Sequence, residues 1–294
     1  MKTMKGIVTA LTTPFTEKDA VNYGAMERSV EFLVSKGIGC MYVCGTTGEM
    51  HLLTVEERQK LAETIIAASD GKADIFVHCG AMTTADTCRL IDHARSAGAD
   101  GIGAVTPSFF GMDEAELMEY YGAVSRAAGD LPVYMYNIPQ CSGNDISARL
   151  CEEIADRFEN IVGIKYSWNN SDRMADYLRT RNYRFSVLGG MEKHILPYHA
   201  MGCDGVVSGC SNAFPELFLE LYRACVSGDI QKACALQRRV QKLVEILTRS
   251  RSIARVKAAQ GMRGLDFGAM RAPCQPICET EKLALREELQ EFLP

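Results

Sequence analysis

A (β/α)8 barrel is the fold class this sequence predicts, and three observations predict it. Eight short apolar runs rich in Val and Ile alternate with longer amphipathic stretches. The runs are apolar at nearly every position, as strands buried on both faces of a parallel sheet are. One join also recurs: SKGIGCMYV, SAGADGIGAV and AMGCDGVVS each read as helix end, glycine, short loop and strand. An open doubly wound sheet is the rival, but no G-x-G-x-x-G follows the first run.

Taken in order, the predicted strands are 6–11, 40–43, 74–77, 101–105, 132–136, 161–164, 185–188 and 205–208. Between them, apolar residues three and four apart predict helices, for instance over 26–36 and 55–68. Thr54 ahead of Glu57 is a capping box, and Ser171-Asp172 opens a further helix. Gly37, Gly98 and Gly202 follow helix ends, where a left-handed cap is expected. Strand signals stop after about residue 213, and 217–225, 230–247, 253–261 and 279–292 read as appended helices. The expected organisation is a barrel over 1–224 carrying the active site, with a helical extension over 225–294 packed on it. No flexible linker separates the two.

A length of 294 residues suits one barrel with such an extension. A net charge of −5 and a pI near 5.7 leave no basic footprint, which argues against nucleic acid or an anionic membrane as partner. No apolar run approaches the roughly 18 residues of a membrane span. The opening MKTMKGIVTALTTPF meets Pro14 and then Glu17 where a signal peptide would need a longer apolar stretch, so a cytoplasmic location is expected. The 12 cysteines show no C-x-x-C and no zinc-finger spacing, and read as small buried hydrophobes.

In such a barrel the chemistry lies at the carboxyl ends of the strands. The second run ends in Gly45-Thr46-Thr47-Gly48-Glu49. Two hydroxyls between glycines suit either a plain strand-to-helix turn or a cradle of N–H groups for a carboxylate. The fifth run ends on Tyr136 before Asn137-Ile138-Pro139, and the sixth run leads into Lys165. A lysine finishing a buried strand is either an ion-pair partner or a desolvated amine nucleophilic toward carbonyls.

Together GTTGE, YNIP with Ser142-Gly143 soon after, GIK at Lys165 and GCDGVVS resemble the dihydrodipicolinate synthase/N-acetylneuraminate lyase family. The resemblance runs from Gly6 to the C-terminal helices and includes Arg271-x-Pro273. It implies that Lys165 attacks the ketone of pyruvate to form a Schiff base. Tyr136 would carry protons, while Thr46 and Thr47 would hold the carboxylate, Thr47 counting among the catalytic groups. It further implies substrate contacts from Gly48, Ser167, Gly189, Glu192 and Ser208. No metal or organic cofactor is implied; the partners are pyruvate, an aldehyde or sugar acid, and further copies of the chain in a homotetramer.

Within the family, synthases that condense pyruvate with aspartate semialdehyde carry an arginine just after Y-N-x-P, a bidentate clamp for the second carboxylate. This chain reads Gln140-Cys141-Ser142-Gly143 there. His78, Ser167 and Glu192 resemble the lyases and suit hydroxyl binding, whereas Met191 stands where an acidic residue is usual. Tyr166 and Trp168 are candidates to narrow the sugar site, with a barrel-rim position the alternative for Trp168. The reading is therefore a Schiff-base lyase or aldolase nearest N-acetylneuraminate lyase. Alternatives are dihydrodipicolinate synthase or an aldolase or dehydratase of another 2-keto-3-deoxy sugar acid. After the fourth strand the family reads T-P-x-Tyr, whose tyrosine enters a neighbouring subunit's site; here Thr106-Pro107-Ser108-Phe109 supplies no hydroxyl at that position. Water, Ser108 or Tyr166 are the substitutes to weigh, and a pyruvate-binding regulatory protein is the non-enzyme alternative. His194 and His199 read as surface or core fillers.

Overall fold

The computed structural model describes residues 1–265, 267–268 and 270–293; Asp266, Ala269 and Pro294, all within the expected extension, lie outside the described residues. Eight parallel strands close in sequence order: β1 (Gly6–Ala10), β2 (Cys40–Val43), β3 (Asp74–His78), β4 (Gly101–Val105), β5 (Val133–Asn137), β6 (Ile161–Tyr166), β7 (Ser186–Gly189) and β8 (Gly205–Ser208). The last pairs back to the first, Gly205 opposite Gly6. The helices in chain order are α1 (Tyr23–Ser35), α2 (Val55–Ser69), α3 (Thr84–Ser96), α4 (Glu114–Ala128), α5 (Pro139–Ser142) and α6 (Ala148–Arg157). There follow α7 (Ser171–Leu178), α8 (Thr180–Tyr183), α9 (Ile195–Met201), α10 (Pro215–Val226), α11 (Ile230–Thr248), α12 (Ser252–Met262) and α13 (Glu279–Glu288).

The strands are apolar throughout because both faces are covered. Ile7, Met41, Val43, Ile75 and Val77 face the helices, while Val8, Tyr42, Phe76, Tyr134 and Leu188 fill the barrel. The large interior aromatics are matched by strand glycines, so that layers interdigitate. A Cβ on Gly103 would stand 2.1 Å from the Tyr42 hydroxyl, and one on Gly101 would stand 2.2 Å from the Phe76 ring. Below the site, Tyr134 is tied at both sides: its hydroxyl accepts the Met4 N–H at 3.0 Å and donates to Ser186 Oγ at 2.8 Å.

The Thr54–Glu57 capping box forms as expected, and Gly37, Gly98 and Gly202 are left-handed at φ of 92°, 87° and 97°. Asn170, one residue earlier than expected, caps α7 by accepting the Arg173 N–H. One expectation fails. Residues 217–225 belong to α10, which carries the chain from β8 back past β1 and is the barrel's own eighth helix. Its apolar face is buried like that of any barrel helix. All 12 cysteines are free thiols, and Cys141, Cys274 and Cys278 are exposed. Among the described residues no helix is long and apolar enough to cross a membrane, and no group of three or more His, Cys, Asp or Glu could hold a metal ion.

Candidate active site

Lys165 points into the barrel because β6 is irregular. Ile161 faces the helix layer, and strict alternation would send Lys165 the same way. The pairing of β5 with β6 shifts register here: Val133 faces Ile161, but Tyr134 faces Gly163. One residue is absorbed, so Ile164 and Tyr166 face the helices and Lys165 turns inward. Gly163 permits this, since a Cβ there would lie 2.3 Å from the Tyr134 ring and 2.5 Å from the Ser186 carbonyl.

Lys165 is 5% exposed, and its Nζ lies 3.9 Å from the centroid of the Tyr136 ring and 4.7 Å from that of Tyr42. Among the described residues no carboxylate pairs with it, which disposes of the ion-pair alternative. The Tyr136 hydroxyl lies 3.4 Å from Thr46 Oγ1. Thr46 and Thr47 sit in a turn whose flanking Cys44 and Glu49 are both left-handed, at φ of 57° and 60°. The turn is closed by the Glu49 N–H on the Thr46 carbonyl and by Thr13 Oγ1 donating to the Gly48 carbonyl at 2.8 Å.

These groups share a cavity of about 320 Å³. Thr46, Thr47, Tyr136, Lys165, Ser167 and Glu192 all line it. Ser167 sits against Gly190, where a Cβ would stand 1.9 Å from its Oγ, and its carbonyl accepts Gln140 Nε2 at 2.7 Å. Glu192 accepts the Cys210 N–H at 2.8 Å through Oε1. Three expected contacts are not in this wall. Gly48 is turned onto Thr13, Gly189 backs on the Tyr198 ring, and Ser208 is spent accepting the Ser211 N–H at 2.9 Å. Their neighbours Gly190 and Gly209 line the cavity instead.

His78 needs a similar correction. It is wholly buried beside the Tyr42 and Tyr136 rings, its Nε2 accepting the Val105 N–H at 3.1 Å. Burial, and then the Arg58 guanidinium, hold it well below the ordinary histidine range, so it is a neutral core residue. Tyr166 likewise faces away, its ring 5.2 Å from that of Tyr177, and Trp168 is 43% exposed at the rim. Ser108 Oγ contacts Met82 Sδ, and Phe109 is 84% exposed, so neither lines the cavity. His194 and His199 edge the Tyr198 and Tyr222 rings outside it. Unforeseen contributors are Gln140, Lys193 and Cys210, together with Val244, Thr248, Ser252, Ile253 and Val256, so α11 and α12 form one wall.

The dihydrodipicolinate synthetase family model matches residues 3–292. The chain belongs to that family. Among its relatives, 4-hydroxy-tetrahydrodipicolinate synthase of Aquifex aeolicus is 33% identical over 98% of this chain and 97% of that protein. The crystal structure of dihydrodipicolinate synthase from the same organism superposes with a TM-score of 0.94, covering 99% of both chains. Proteus mirabilis N-acetylneuraminate lyase also gives 0.94, at 28% identity, covering 99% of this chain and all of that one. Members of the dihydrodipicolinate synthetase family are class I lyases that form a lysine Schiff base with pyruvate, and this chain is an enzyme of that class.

Proposed function

We propose that this chain joins or parts pyruvate and a polyhydroxylated aldehyde, as an N-acetylneuraminate lyase does, with Lys165 as the Schiff-base residue. The carrying observation is Glu192. Its carboxylate lines the same cavity as Lys165, and among the described lining residues there is no arginine. A carboxylate accepts hydroxyl hydrogens, and without an arginine the wall offers no bidentate clamp for the α-carboxylate of zwitterionic aspartate semialdehyde. Ser167 and Thr248 add hydroxyl partners to the same walls.

In cleavage, Lys165 Nζ attacks the C2 ketone of the sugar acid, and the carbinolamine loses water to give an iminium. Removing the C4 hydroxyl proton lets the C3–C4 bond break, its electron pair entering the iminium to leave an enamine and an aldehyde. Protonation of the enamine and hydrolysis then release pyruvate. Tyr136, whose ring centroid lies 3.9 Å from Nζ and whose hydroxyl lies 3.4 Å from Thr46 Oγ1, is the group to which we assign these proton transfers. The N–H groups of the Thr46–Thr47 turn hold the carboxylate. We also propose a homotetramer, on the family resemblance, which multi-angle light scattering of the purified chain tests by mass.

A second reading, condensation of pyruvate with aspartate semialdehyde, draws on the synthases among the relatives and on Lys193, a cation in the cavity wall. Lys193 is already paired with Glu245 at 3.1 Å. Pyruvate release from N-acetylneuraminate and a panel of 2-keto-3-deoxy sugar acids separates the two, run beside condensation with aspartate semialdehyde. Turnover of a panel acid that falls at least about tenfold in Glu192→Gln is expected. Turnover confined to the semialdehyde would reject the first reading.

A further inference from the structure

The Thr46–Thr47 turn is gripped by a charged pair that does not line the cavity. Glu49 closes the turn in a left-handed conformation, at φ 60° and ψ 38°, which a non-glycine residue adopts only when its surroundings impose it. Its Oε1 lies 2.5 Å from Lys257 Nζ, and both side chains are 2% exposed. Lys257 is on α12, and its ammonium also sits over the Phe15 ring at 4.5 Å. The Arg271 guanidinium sits 4.5 Å from the same ring and donates to Glu57 and to the Leu52 carbonyl just beyond the turn. One helical turn along, Gln260 Oε1 accepts from Thr12 Oγ1 at 2.8 Å, and Thr13 beside it holds the Gly48 carbonyl. Helix α12 therefore grips the loops after both β1 and β2.

An apolar pair would fill this space at lower desolvation cost, because buried ions lose hydration that their attraction barely repays. What an ion pair adds is direction: the carboxylate must stay where the ammonium is. We propose that Glu49 and Lys257 are positioning residues, whose pair fixes the turn bearing Thr46 and Thr47 and so sets the site's affinity for the carboxylate of a 2-keto acid. The C-terminal helices, which bear no reacting group, thereby tune the first binding step. This rests on Thr46 and Thr47 being the carboxylate cradle.

The test titrates pyruvate against the fraction of full-length protein trapped by borohydride, read by intact mass. Lys257→Met and the neutral double variant Glu49→Gln/Lys257→Met should each raise half-saturating pyruvate about tenfold. That is part of the roughly hundredfold that a misplacement of about 1 Å costs. The fraction trapped at saturation should stay at the wild-type level, and Lys257→Arg should recover most of the affinity. The double variant matters because it removes both charges of the pair together. Unchanged half-saturation in a folded variant would overturn the proposal. So would loss of folded protein in both the single and the double variant, since the pair would then serve the fold alone. Thr47→Val in the same titration reports on the cradle itself: unchanged half-saturation there rejects the cradle reading separately.

Discussion

Lys165 Nζ lies 3.9 Å from the centroid of the Tyr136 ring, and the Tyr136 hydroxyl lies 3.4 Å from Thr46 Oγ1. Three strand ends thus converge on one cavity, with the amine held on ring faces instead of a carboxylate. Bonding to a ligand carbon therefore breaks no ion pair.

Tyr136→Phe keeps the ring that Lys165 rests on and removes only the hydroxyl. Turnover should fall about 10²- to 10⁴-fold, the usual range for a lost proton carrier. The circular dichroism spectrum and melting temperature should stay close to wild type. A steady-state assay showing less than about a threefold loss would remove Tyr136 from the proton path.

Gly103→Ala probes the fit of glycines to aromatics that shapes the barrel interior. The new methyl would stand 2.1 Å from the buried Tyr42 hydroxyl and 2.4 Å from its ring. Overpacking of this kind costs about 1–3 kcal/mol or more. Gly39→Ala, with nothing within 4 Å of its Cβ, is the control and should change stability by less than about 0.5 kcal/mol. Urea unfolding of both variants decides; equal midpoints would contradict the packing account.

Glu216, in the first turn of α10, meets Arg263 at 2.7 Å and Lys36 at 2.9 Å. Burial alone would raise its carboxyl, but those two cations outweigh it and hold the group at about 2. A depressed folded value means the stabilisation is fully present above the usual carboxylate range and is lost as pH falls through about 2. The side chain is 43% exposed, so solvent screening cuts a shift of roughly 3 kcal/mol to about 1 kcal/mol. Glu216→Gln should therefore be about 1 kcal/mol less stable near neutrality, with the gap closing as pH falls from about 5 toward 2. A gap independent of pH in denaturant titrations would contradict this.

Much of the barrel was legible because parallel strands buried on both faces leave continuous Val and Ile runs, and because Gly37, Gly98 and Gly202 mark the helix ends. The site was legible as a set of strand-end residues and less so as directions. His78 reads the same in sequence whether it enters the cavity or the core, and only its bond to the Val105 N–H tells the two apart. The register shift opposite Tyr134 has no local signature beyond Gly163, yet it is what aims Lys165. The wall from Thr248, Ser252 and Val256 was hidden for another reason: it is assembled by tertiary packing of helices distant in sequence from the strands they cover.

The most direct measurement is borohydride reduction of the protein with pyruvate, followed by peptide mass mapping. The account predicts one covalent adduct per chain, on Lys165, and none in Lys165→Ala. An adduct on another lysine, or no adduct at saturating pyruvate, would contradict it.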